Sequence, residues 1–191
     1  MGGLLSDNAR MDSELSRRNG SAKGVFLALR VVWNHSGLGI QDKIKFFRSL
    51  VVSRLVYGLS SCWLVKGQLR RLEGFYARSL RTILRIPAAY VSRISNKTVL
   101  DRAGLQSIGE QLRTSQIALL AKTAQAHPQS PLRRNVFVGE TLRPVAGYFI
   151  RRVGRPRQDW TNSLLNIGAA LYNGRDNFER HLLTLKIRKK R

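Results

Sequence analysis

The apolar residues of this 191-residue chain recur with a helical period nearly from end to end, and that recurrence limits the fold to a mainly α architecture. Val25, Phe26, Leu29 and Trp33 predict a first helix over Ala22–Trp33, closed by a turn at Gly37 and Gly39. Ile44, Phe47, Val51, Leu55 and Leu59 predict a long apolar helix over Gln41–Trp63, with Val51–Leu59 also compatible with a buried strand. Ser49–Val65 is the most membrane-like stretch. It falls short of the ~20 residues of a span, and Arg54 near its middle would cost about 2.5–3.5 kcal/mol in a bilayer, so a core helix is expected.

Further along, Gln68–Ile86 reads as a helix ended by Pro87, and Asn96–Ala103 as a short one stopped by Gly104. Ser107 and Glu110 form a capping-box pattern opening a helix that runs to about Ala126, before His127-Pro128. Asp159 or Thr161 starts the next helix, which Asn173-Gly174 ends, and Asp176 with Glu179 reads as a second capping pair. The expectation is a bundle of about six helices with a basic loop or arm and a basic C-terminal tail. Its divisions are a disordered segment over residues 1–16, a helical domain over 17–126, a Pro/Gly-containing basic loop or arm over 127–157, C-terminal helices over 158–185 and a basic tail over 186–191.

Charge then says what such helices meet. Lys and Arg number 34 against 11 Asp and Glu, a net charge of +23. The excess is not a tail effect: residues 1–40 carry five basic and three acidic residues, 41–126 carry 15 against 4, and 127–191 carry 14 against 4. A surface so basic attracts polyanions at long range, and nucleic acid is the leading partner. The terminal run Lys186–Arg191 reads as a solvated tail or a nuclear-localisation signal, which favours a nuclear over a cytoplasmic home.

Within Gln68–Ile86, Arg70, Arg71, Arg78, Arg81 and Arg85 fall inside about 100° of one another on a helical projection, opposite Leu69, Leu72, Phe75, Tyr76, Leu80, Ile83 and Leu84. Glu73, the helix's one acid, projects among the apolar residues and does not neutralise the stripe. A solvated face would look similar, but five arginines and no lysine suit fixed phosphate contacts, because the planar guanidinium makes paired bonds. A second basic cluster, Arg151, Arg152, Arg155 and Arg157, surrounds Gly154 and Pro156. Its Gly-Arg-Pro core resembles an AT-hook, whose extended backbone lays arginine in a narrow minor groove, although Val153 stands where that motif has Arg.

Catalytic groupings are missing from the pattern. The acids are scattered, whereas two-metal polymerases and nucleases need clustered carboxylates. His35, His127 and His181 are far apart, and Cys62 alone neither builds a zinc knuckle nor forms a disulfide. No glycine-spaced phosphate loop ends in Lys-Ser or Lys-Thr. No turnover, cofactor or metal is expected of this chain alone. Its start, Met-Gly-Gly-Leu-Leu-Ser-Asp, has no basic head and no long apolar run, so no secretory leader is expected.

The block Lys43–Trp63, a lysine-led helix running into Tyr57-Gly58 and then Trp63, resembles the segment after the polymerase palm in non-LTR retrotransposon reverse transcriptases. There it precedes a helix like Arg71–Ile86, a step like Arg93–Asn96, and a Gly-Arg-Pro-Arg with a following Trp, like Gly154–Arg157 and Trp160. The similarity runs over roughly Arg17–Leu165, in the same order. It implies a mainly helical thumb or connection region that grips template-primer backbone, duplex or RNA/DNA hybrid, with little sequence preference. The family's fingers, palm and metal-binding aspartates have no counterpart in the chain, so it resembles the carboxyl-terminal third of such an enzyme, with an upstream palm as a possible partner. An AT-hook-like DNA-binding protein, or a non-functional translated remnant or interaction module, are the other readings.

Overall fold

The computed structural model describes residues 11–145 and 159–185. Among them the chain is mainly α, and its one β-type pairing is an isolated antiparallel bridge between Phe137 and Pro144. It divides into two compact units, Met1–Leu59 with Leu64–Leu112, and Ser60–Trp63 with Arg113–Arg191. The division passes through a helix expected whole within residues 17–126.

In the first unit, α1 (Asp12–Ala28) and α2 (Arg30–Asn34) replace the single helix expected over Ala22–Trp33. Helix α1 begins ten residues before the expected start and within the stretch 1–16 expected to be disordered. Two acids in its first turn, Asp12 and Glu14, suit the positive end of the helix dipole. Glu14 and Leu15 are buried, so this turn is anchored to the core.

The expected helix over Gln41–Trp63 is broken into α3 (Ile40–Phe46), a π-helical segment (Phe47–Val52), α4 (Ser53–Val56) and a 3-10 turn (Leu59–Ser61). Two serines help to explain the loosened winding: Ser49 donates to the Phe46 carbonyl at 3.2 Å and Ser53 to the Ser49 carbonyl. Such back-bonding competes with the regular ladder. Gly58, at φ +70°, then turns the chain out of helix. The strand alternative for Val51–Leu59 is not adopted.

Helix α5 (Lys66–Ile83), α6 (Ala89–Ser92) and α7 (Asn96–Ala103) follow. Helix α7 has the expected bounds, with the Ser95 hydroxyl accepting from the Thr98 N–H and Gly104 at φ +63°. The core of this unit gathers Phe47, Val51, Leu55, Leu72, Tyr76, Leu80, Ile83 and Val99. Phe47 stacks on Tyr76 with centroids 5.6 Å apart, and Trp33 stacks on Phe26 at 5.2 Å.

Helix α8 (Ile108–Ala124) opens with the capping box in place: Glu110 N–H donates to the Ser107 hydroxyl at 3.1 Å and Ser107 N–H to the Glu110 carboxylate at 3.0 Å. Glu73 of α5 adds a third acceptor, taking the Gly109 N–H at 2.8 Å. The acid that projected among apolar residues therefore serves a helix N-terminus.

The second unit has its own core of Leu120, Ala121, Ala124, Phe137, Leu142, Leu164, Leu165, Phe178 and Leu182. The first part of the region expected as a basic loop holds a single-turn helix, α9 (Pro131–Arg134). Its remainder, residues 146–158, lies outside the described residues. Helix α10 (Trp160–Leu171) is capped by Asp159, whose carboxylate accepts from the Thr161 N–H at 3.1 Å, and Trp160 donates its indole N–H to the Ser60 carbonyl at 2.9 Å. Helix α11 (Arg175–Thr184) begins one residue before Asp176, and the capping pair expected of Asp176 and Glu179 does not form. Glu179 pairs with Arg175 at 2.8 Å instead.

Candidate nucleic-acid interface

Helix α5 buries the side carrying Leu72, Phe75, Tyr76, Leu80 and Ile83, and exposes Arg70, Arg71 and Arg78 on the other. Arg70 and Arg78 make no ion pair or side-chain hydrogen bond among the described residues. Arg71 is partly engaged with α1, its guanidinium 3.7 Å from the Asp12 carboxylate and 3.2 Å from the Ser16 hydroxyl. That pair is exposed, and water screens it.

Arg85 lies just past the helix. Leu84 is the C-cap, and Arg85 itself adopts a left-handed backbone at φ +56°. The Ile86 N–H reaches the Arg81 carbonyl at 2.9 Å, closing the helix as a glycine-type terminator would. The Arg85 side chain remains exposed beside the end of the stripe.

Arg81 departs from the expected face. It is 5% exposed, and its guanidinium donates to the Pro87 carbonyl at 3.1 Å, the Ser92 hydroxyl at 3.3 Å, the Ile94 carbonyl at 2.6 Å and the Asn96 side chain at 3.1 Å. The helical projection placed it correctly on α5, but the chain from Pro87 to Asn96 folds over that end of the face. Arg81 is a structural residue, and the open basic surface of α5 is Arg70, Arg78 and Arg85 with Arg71 at its edge.

Buried cations elsewhere follow the same rule. Lys43, 5% exposed, donates to the Trp33 carbonyl at 3.0 Å and so caps α2. Arg133, equally buried, donates to the carbonyls of Ala124, Gly139, Glu140 and Thr141 and organises the loop after α9. A chain with so few acids satisfies its interior cations largely with main-chain carbonyls.

The arginines of the second expected cluster, Arg151, Arg152, Arg155 and Arg157, lie outside the described residues, as does the run over 186–191. The histidines serve local structure: His35 Nδ1 accepts from the Gly37 N–H at 3.1 Å, His127 Nδ1 from the Gln129 N–H at 3.2 Å, and His181 Nε2 lies 3.0 Å from the Tyr172 hydroxyl. Among the described residues no three of His, Cys, Asp and Glu gather as metal ligands, and no helix is long and apolar enough to cross a membrane.

Sequence reasoning missed a second basic place in the first unit, where Arg17, Arg18 and Arg54 come together. Arg17 and Arg18 both pair with Glu14, at 2.9 and 2.5 Å, and that carboxylate holds the Arg17 guanidinium above its ordinary pKa. A helix drawn back to Asp12 would have put these arginines on one element, but Arg54 joins them only through the fold. No protein-family model matches the chain, and comparisons with curated proteins and with solved structures return no match.

Proposed function

We propose that this chain is a non-catalytic nucleic-acid-binding module that grips the sugar-phosphate backbone of a duplex or RNA/DNA hybrid, in the manner of a reverse-transcriptase thumb. The observation that carries the proposal is the exposed set Arg70 and Arg78 on one side of α5 with Arg85 just past its end, none of them in an ion pair among the described residues, in a chain of net charge +23. Phosphate contacts fix position without reading sequence, so the affinity expected is nearly independent of base order. The thumb comparison rests on the ordered resemblance over roughly Arg17–Leu165.

A salt titration of the full chain against a fixed duplex and its shuffled-sequence counterpart tests this. Three phosphate contacts give a slope of log affinity against log salt near −2.7 on DNA, and further contacts steepen it. A flat response, or affinity confined to one sequence, overturns the proposal.

A further inference from the structure

Helices α1 and α4 border a cleft of about 350 Å3, lined by Arg17, Arg18, Ser21, Ser53, Arg54 and Tyr57. We propose that it holds one unpaired nucleotide of a single-stranded nucleic acid, with its phosphate on Arg54 and Arg17 and its base against the Tyr57 ring. The inference rests on the nucleic-acid reading above but uses a surface other than the α5 face.

Charge selects an anion. Three guanidinium groups line the cleft, and among the described residues Glu14 is the carboxylate that pairs with two of them. Arg54 is exposed and makes no ion pair among the described residues. The cleft volume falls at the small end of ligand pockets, which suits one nucleotide rather than a folded partner.

Tyr57 selects a base. Arg18, 7% exposed and tied to Glu14, places its guanidinium carbon 5.3 Å from the Tyr57 ring centroid. Its buried Nε has no hydrogen-bond partner among the described residues, and the ion pair with Glu14 holds the other end of the guanidinium. Gly58, whose φ of +70° disfavours any side chain, sets the turn at which the ring sits. Tyr57 nevertheless remains 61% exposed. An aromatic face beside a cationic groove is the arrangement on which unpaired bases stack, and bases within a duplex are not available to it.

The test measures binding of a fluorescein-labelled octathymidylate to the full chain, with thymidine monophosphate and inorganic phosphate as competitors and a 20-bp duplex as a parallel ligand. Tyr57→Ala is expected to weaken octathymidylate binding about tenfold, the loss of roughly 1.4 kcal/mol of stacking. Tyr57→Phe keeps the ring and stays within about twofold. Arg54→Ala lowers the magnitude of the single-strand salt slope by about 0.7. Neither Tyr57→Ala nor Arg54→Ala alters duplex affinity, and thymidine monophosphate competes better than inorganic phosphate. If Tyr57→Ala unfolds the chain, Tyr57→Leu retains bulk without the aromatic face and is expected to show the same loss.

The cleft inference is overturned if folded Tyr57 and Arg54 variants bind octathymidylate like the parent, or if inorganic phosphate competes as well as the nucleotide. It is also overturned if Tyr57→Phe loses as much as Tyr57→Ala. In each case the α5 reading survives if removing Arg70, Arg78 and Arg85 still weakens duplex binding. A parent chain that binds neither ligand sinks both.

Discussion

Arg81 donates from Nη2 to the Ile94 carbonyl at 2.6 Å, joining the last turn of α5 to the residues just after α6. The same nitrogen reaches the Asn96 side chain at 3.1 Å, so one guanidinium nitrogen holds both ends of the Ile94–Asn96 step. The arginine helix and the Arg93–Asn96 step are thus one hydrogen-bonded structure. The cost of taking a cation out of water is offset here by fixed carbonyl dipoles rather than by a carboxylate.

Replacing Arg81 should therefore act on stability first. Arg81→Ala leaves the Pro87 and Ile94 carbonyls without this donor and is expected to cost about 2–4 kcal/mol, read as a lower urea midpoint. Arg78→Ala, on the exposed side, should stay within about 0.5 kcal/mol. Equal stability of the two variants would contradict the structural assignment of Arg81.

Helix boundaries were most legible where a local chemical signal sets them. Ser107 with Glu110, Asp159 before Trp160, and Gly104 after Ala103 are each decided within four residues, and each forms as the sequence suggests. The Asp176–Glu179 pair does not form because the helix starts at Arg175, which puts Asp176 inside the first turn and not at the N-cap; Glu179 pairs with Arg175 at 2.8 Å. Burial of Lys43, Arg81 and Arg133 was not legible. Their acceptors are backbone carbonyls, present in every residue, and nothing in composition marks which ones the fold will aim inward. Arg17 and Arg54 stand on different helices, so no local pattern marked that they would line one cleft.

Arg85 sets stability against binding. Its left-handed backbone costs a non-glycine residue about 1 kcal/mol or more, part of which glycine returns through greater freedom in the unfolded chain. Arg85→Gly is expected to raise stability by about 0.5–1 kcal/mol while lowering the magnitude of the duplex salt slope by about 0.9. Thermal melting and a salt titration on the same sample check both directions. A variant that gains stability with no change in slope would remove Arg85 from the interface.

Charge on α5 gives a graded expectation. Combining Arg70→Ala with Arg78→Ala should reduce the slope on duplex DNA by about 1.8, equally on shuffled sequences. Lys43→Met, which removes a buried cation capping α2, should leave that slope unchanged in whatever fraction of the chain folds. A comparable slope change from Lys43→Met would mean that total charge, not the α5 face, controls binding.

Tyr76 supplies a pH dependence. Burial pushes its hydroxyl above the ordinary tyrosine range, opposed by the hydrogen bond from Gln111 at 3.1 Å and by the charge of Arg48, while Glu73 adds to the rise. The folded chain thus keeps this proton to higher pH than the unfolded chain does. Its contribution is full below about pH 10, the unfolded value, and is lost as pH rises through the folded one. The stability of Tyr76→Phe should accordingly fall less steeply above pH 10 than that of the parent, in urea unfolding followed from pH 8 to 11. Parallel curves would contradict the shift.

Helices α10 and α11 meet at Gly168, where an added Cβ would strike the Phe178 ring. Phe178 is fully buried, and its ring lies 5.4 Å from that of Tyr172, so it has little room to yield. Gly168→Ala is expected to destabilise the second unit by about 1–3 kcal/mol, through overpacking that outweighs the better helix propensity of alanine. Trimming the ring with Phe178→Leu should relieve part of that clash. The double variant is then expected to be more stable than the sum of the two single losses, by about 0.5 kcal/mol or more in a double-mutant cycle. Strict additivity would mean that the close approach of Gly168 to Phe178 is not what selects glycine at this position.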